Sequence, residues 1–137
     1  MSINLNDILF AHYILFDYNV EDSVVLKTNF KNHPHGEAWH LFKIEDSIHF
    51  KAITSNDYKA YNRLIETTKQ EEHSELKFKE LQKNFNTSIL HENKMHIAYN
   101  NDLKRYVVQD GCHRLAIIQL AALGITNTVP NDWFLIE

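Results

Sequence analysis

Apolar and polar positions change period several times along the chain, and each change predicts an element. Ile8 to Phe16 is rich in apolar and aromatic residues and predicts a strand. Ser23 to Phe30 alternates weakly and predicts another. Asn32-His33-Pro34-His35-Gly36 is a loop by composition. Trp39 to Ile44 and Ile48 to Ile53 flank Glu45-Asp46-Ser47, which predicts a β-hairpin. Ser55-Asn56-Asp57 then offers a helix N-cap, with Tyr58, Tyr61, Leu64 and Ile65 following at helical spacing. After the polar stretch Lys69 to Glu72, Ser74 caps a second helix whose apolar stripe is Phe78, Leu81 and Phe85.

The last third reads more clearly. Lys94 to Tyr99 alternates, Asn100-Asn101-Asp102 turns, and Arg105 to Gln109 extends again, which predicts a second hairpin. Gly111 opens the most apolar element of the chain. From Leu115 to Leu123 it is apolar nearly all round, so this helix is expected in the interior, with Gly124 as its stop. Thr126 to Val129 and Trp133 to Ile136 read as short closing strands. The order is a β-rich start, two helices, a hairpin, a buried helix and a strand. It predicts an α+β or mixed α/β fold.

Composition narrows the class. The 137 residues suffice for one domain and not for two ordinary ones. Apolar residues make up 44% and charged residues 23%, which excludes a disordered, collagen-like or disulfide-framed chain. Cys112 is the single cysteine, so there is no intrachain disulfide. The formal charge of −4 argues against general nucleic-acid binding. Residues 1–50 hold three basic residues against seven acidic ones, so no basic arm starts the chain. No stretch is apolar enough for a membrane span, and Met1 to Phe10 does not read as a signal peptide. A cytoplasmic protein is expected, and the Asn86-Thr87-Ser88 acceptor pattern is taken as chance.

The candidate chemistry sits at the junction Tyr106-Val107-Val108-Gln109-Asp110-Gly111-Cys112-His113-Arg114-Leu115-Ala116. A strand, a sharp glycine turn and a helix start aim backbone N–H groups and the positive helix end at one spot. Arg114 can fork onto phosphate oxygens, and Gly111 allows a close approach to the backbone. His113 can donate a hydrogen bond or move a proton near neutral pH. Asp110 suits a Mg²⁺ ion, a polarised hydroxyl, or a salt bridge to Arg114. The Cys112 thiol, at a helix N-terminus, is placed for a lowered pKa. Elsewhere, His33, His35 and His40 cluster around Glu37, but their spacing is loose for zinc. Trp39, Phe42, Tyr58 and Tyr61 read as core rather than as a stacking platform.

Asp110-Gly111-Cys112-His113-Arg114, the apolar helix, Gly124 and the Val129-Pro130 strand together resemble the signature of the ParB/sulfiredoxin superfamily. The upstream helix Ser74–Phe85 and the strands Lys94–Tyr99 and Lys104–Gln109 are similar to that family's order. The resemblance covers residues 73–130 and implies a mixed sheet flanked by helices. Residues 1–70 would then form a β-rich N-terminal extension of a single domain, 1–137.

The family holds several chemistries. In sulfiredoxins, which resemble this chain at Gly111-Cys112-His113-Arg114, the cysteine attacks a phosphorylated sulfinate and the His-Arg pair binds ATP phosphates. In free serine kinases an Asp-Gly-His-His-Arg loop binds ADP or ATP, and its Asp takes part in phosphoryl transfer. Chromosome-partitioning ParB proteins bind CTP with the equivalent loop, and this chain has no room for their DNA-binding domains. Sulfiredoxins carry glycine where this chain has Asp110, a departure that points to the kinase-like branch.

The resemblance therefore implies an ATP-dependent kinase with Mg²⁺, acting on a small polar metabolite or sugar. A His73-Ser74 pair before the first helix is similar to small ParB-like domains of surface-polysaccharide neighbourhoods. The implied catalytic residues are Asp110, Cys112 and His113, with Asp110 also facing the metal. The implied nucleotide contacts are Gly111, Cys112, His113, Arg114, Lys94, His96, His73 and Ser74. A base from Glu37 or Glu45 is a further candidate. Two other functions stay open: a nucleotide-binding or interaction module without turnover, and a thiol enzyme using Cys112. A homo-oligomer also stays open.

Overall fold

The computed structural model describes residues 2–13, 24–33, 36–68, 70, 72–122 and 127–137. Eight strands and four α-helices follow in the order β1 (Ser2–Asn4), β2 (Ile8–Tyr13), β3 (Val24–His33), β4 (Gly36–Lys43), α1 (Ile48–Ser55), α2 (Lys59–Thr68), α3 (Glu75–Asn84), β5 (Met95–Asn100), β6 (Arg105–Asp110), α4 (Cys112–Ala122), β7 (Thr128–Pro130) and β8 (Phe134–Ile136). This is an α+β arrangement with a mixed sheet. Six strands lie in the order β3-β4-β2-β6-β5-β8, and β1 pairs with β7 in a separate two-stranded ribbon. The pairs β2/β6 and β5/β8 are parallel, whereas β2/β4, β3/β4 and β5/β6 are antiparallel.

The two halves of the chain meet at β2 and β6, with Ile8 opposite Tyr106 and Leu9 opposite Val107. The β-rich start therefore continues the same sheet as the glycine-turn hairpin. β2 is buried on both faces, since Ile8, Leu9 and Phe10 are all closed off from solvent. α4 is buried over Leu115, Ala116, Ile117, Ile118 and Gln119, the all-round burial that its composition predicts. Phe10, Ile48, Tyr61, Phe78, Met95 and Leu115 share its core. Leu123, the end of the apolar run, and Gly124, the expected stop, lie outside the described residues, as does the end of the first predicted strand beyond Tyr13.

One predicted hairpin is absent. Trp39 to Lys43 does extend within β4, but Ile48 to Ser55 is helix α1. Ser47 decides the outcome. Its buried hydroxyl donates to the Ile44 carbonyl at 2.6 Å and accepts from the Phe50 N–H at 3.1 Å, which caps the helix. Ile48, Phe50 and Ile53 suggest a strand, but tertiary burial and the cap override that propensity. Asn56 ends α1 in the left-handed conformation, φ 55° and ψ 32°. Asp57 Oδ1 then accepts from the Lys59 N–H at the start of α2. Of the loop expected over 32–36, His33 and Gly36 pair across β3 and β4, and residues 34 and 35 lie outside the described residues.

Candidate functional site

β6 delivers Asp110 to the edge of a cleft of about 770 Å³, and the chain lines it continuously from Val107 to Arg114. Gly111 makes the turn at φ 123°. A Cβ there would sit 2.8 Å from Met95 Cγ and 2.9 Å from Met95 Cβ. The close approach that needs glycine is thus to the core methionine of β5. The Gly111 carbonyl accepts from the Leu115 N–H at 2.9 Å, which starts α4. The N–H groups of its first turn precede any carbonyl one turn back, and no acidic residue occupies that turn.

Arg114 lies along this wall with its side chain only 12% exposed. Its Nη1 donates to the Asn93 carbonyl at 2.7 Å, and Nη2 reaches Asp110 Oδ2 at 3.4 Å. The Asp110 side chain is 70% exposed, so this ion pair sits at the mouth of the cleft. Lys77, on α3, also lines the cleft, with its Nζ donating to the Glu72 carbonyl at 3.2 Å. The positive helix end, Arg114 and Lys77 give the mouth a cationic character that one carboxylate offsets in part.

The inner wall is made of imidazoles and aromatic rings. His113 is clamped edge-on by His49, Phe78 and Tyr61, at ring separations of 4.6, 4.8 and 5.6 Å. His73 stacks over it at 4.2 Å. The Tyr61 hydroxyl and His113 Nε2 are hydrogen-bonded at 2.7 Å. Deeper still, His12 stacks on His49 at 5.4 Å. The Ile48 N–H donates to His12 Nε2 at 3.1 Å, so this ring fixes the start of α1 as a neutral acceptor. Burial pulls the pKa of His12 down to about 3, against the opposing effect of its backbone hydrogen bond at Ala11. Burial, then the nearby His73 and Arg114, pulls His113 down to about 3 as well. His49, 4% exposed, is held well below the usual histidine range, first by burial and then by the neighbouring imidazoles. At neutral pH His12, His49 and His113 therefore stand in this wall as polar but uncharged rings.

The candidate residues separate into two groups. Asp110, Gly111, Cys112, His113, Arg114 and His73 come together around the cleft. Lys94, His96 and Ser74 do not line it. Lys94 Nζ donates to the Asp132 carbonyl at 2.6 Å and ties β5 to the turn before β8. His96 sits within β5, opposite Asp110 and Leu135. Ser74 caps α3 by accepting from the Lys77 N–H. Glu45 is exposed outside the cleft, while the side chains of His33, His35 and Glu37 lie outside the described residues.

Cys112 is partly buried against the core, and its thiol moves opposite to the direction a helix N-terminus favours. Desolvation, then the Asp110 charge, pushes it up to about 12, so it is a protonated thiol at neutral pH. Among the described residues, no group of three or more His, Cys, Asp or Glu side chains is placed to hold a metal ion.

His12, His49, Lys77 and Asn93 are site residues that sequence reasoning did not single out, and Tyr61, read there as core, is buried in the core and also lines the cleft. His12 carries a weak signal, a polar residue in register with Ile8 and Phe10 on a buried strand. No helix among the described residues is long and apolar enough to cross a membrane. No protein-family model, curated protein or solved structure matches the chain.

Proposed function

We propose that the cleft binds the phosphates of a nucleotide and that the chain is an ATP-dependent phosphotransferase with a ParB/sulfiredoxin-like fold. Its acceptor would be a small polar metabolite or a sugar. The observation that carries this reading is the position of Arg114. A largely buried guanidinium, held by the Asn93 carbonyl, stands in the first turn of α4 on the wall of a cleft large enough for a nucleotide. In this reading the α4 amides and Arg114 hold the phosphates, and His113 and His73 flank them. The acceptor hydroxyl oxygen attacks the terminal phosphorus, the bond to the leaving diphosphate breaks, and the hydroxyl proton passes to Asp110.

Asp110 is the one carboxylate among the described cleft-lining residues. A single carboxylate suits a Mg²⁺ ion whose other ligands are phosphates and water, and that ion would neutralise phosphate charge. The high pKa of Cys112 speaks against the thiol alternative. The pairing of Asp110 with Arg114 favours a second reading, nucleotide binding without turnover. A product assay with ATP and a panel of sugars and hydroxylated metabolites separates the two. For a kinase, Asp110→Ala loses product formation and Cys112→Ser keeps most of it. An inactive Cys112→Ser beside an active Asp110→Ala would overturn the kinase reading. Bound ATP with no product from any acceptor would leave the binding module.

A further inference from the structure

We propose that Tyr61 is a positioning residue that holds His113 in its Nδ1–H tautomer, so that the cleft meets its ligand with an uncharged imidazole donor. The link to a phosphate ligand rests on the nucleotide reading above; the tautomer itself does not. Tyr61 is fully buried in α2, and its hydroxyl has one described partner, His113 Nε2 at 2.7 Å. If the imidazole donated, the phenolic hydrogen would be buried with no acceptor among the described residues, the costly arrangement for a polar group. If the phenol donates, every buried hydrogen of the pair is satisfied, and only a lone pair is left over. The phenol is pushed above its ordinary range, chiefly by burial, and the imidazole is pulled down to about 3. Neither shift transfers a proton, so the pair stays a neutral donor and a neutral acceptor.

The other nitrogen then carries the hydrogen. Among the described residues, the side-chain nitrogens buried without a partner are His40 Nδ1 and His49 Nδ1, and neither belongs to His113. With Nε2 taken by Tyr61, His113 Nδ1 is the nitrogen left to the cleft that this residue lines. It sits next to the main chain in the first turn of α4, where the backbone donors gather. The ring cannot turn over cheaply, because His49, Phe78 and Tyr61 close on its edges and His73 covers its face.

The test is nitrogen-15 correlation spectroscopy of the histidine rings at pH 7, with His113 assigned by its loss in His113→Asn. The expected spectrum has His113 protonated at Nδ1 and bare at Nε2. In Tyr61→Phe, checked for folding by circular dichroism, the Nε2–H form appears, and ATP binding weakens about tenfold. Asn places an amide nitrogen near the Nδ1 position and Gln places one near Nε2. His113→Asn therefore retains more ATP affinity than His113→Gln. Protonation at Nε2 in the wild-type protein overturns the proposal, even if Tyr61→Phe does not fold. An unchanged tautomer in folded Tyr61→Phe overturns it as well. An Nδ1–H form that shifts in Tyr61→Phe, without ATP binding by the wild type, upholds the positioning role and removes the nucleotide reading alone.

Discussion

Helix α4 borders two clefts of similar size with opposite chemistry. At its N-terminus, about 770 Å³ is lined by Asp110, His113, Arg114, His73 and Lys77. Along its C-terminal half, about 620 Å³ is lined by Phe85, Ile117, Ala121, Val129 and Trp133 among others, with no charged side chain among the described lining residues. One helix supplies both walls, so the contrast does not come from local propensity. It comes from the helix ends and from which strands abut them. The N-terminal end concentrates unpaired donors and positive potential beside an arginine, whereas the last turns offer apolar methyl groups. Volume alone does not separate the two sites; the charge and hydrogen-bonding capacity of the walls do.

The largest expected effect concerns the polar cleft's inner wall. His12 and His113 have folded pKa values of about 3 against an ordinary 6.5. The unfolded chain therefore takes up protons first as pH falls. Their stabilisation is fully present above about pH 6.5 and is lost as pH drops toward 3. Each should cost about 2 kcal/mol by pH 5. Urea unfolding at pH 7 and pH 5 checks this, and equal stability at the two values would contradict the buried neutral wall.

Gly111→Ala comes next. It forces a side chain into a positive-φ turn and against Met95, which should destabilise the fold by about 3 kcal/mol. The same titrations at pH 7 read the loss. A neutral Gly111→Ala would mean that β6 and β5 do not approach as closely as the turn requires.

The two regions also differ in how legible they were. The hairpin β5/β6 and helix α4 follow from local signals: alternation, Asn100-Asn101-Asp102, and an apolar run opened by Gly111. The cleft-lining run Asp110 to Arg114 was visible for the same reason, since all five residues share one turn. Lys94, His96 and Ser74 are polar residues that serve instead as a tether, a strand position and a cap. His12, His49 and Tyr61 reach the site from β2, α1 and α2. Their convergence depends on the parallel pairing of β2 with β6, which no short window encodes. Helix α1 was hidden because Ile48, Phe50 and Ile53 suit a strand as well as a helix face turned to the core, and only Ser47 marks the difference.

The most direct test of the contrast between the two clefts is an ATP titration followed by backbone amide spectra, in wild type and Arg114→Ala. Shifts are expected at Gly111, Cys112 and His113 and around His73 and Lys77, with Phe85, Ala121 and Trp133 unmoved. Losing a charge-assisted contact should weaken affinity in Arg114→Ala by about 30- to 150-fold, on the order of 2–3 kcal/mol. Equal affinity in the two proteins, or shifts centred on Ala121 and Trp133, would contradict the assignment of phosphate binding to the N-terminus of α4.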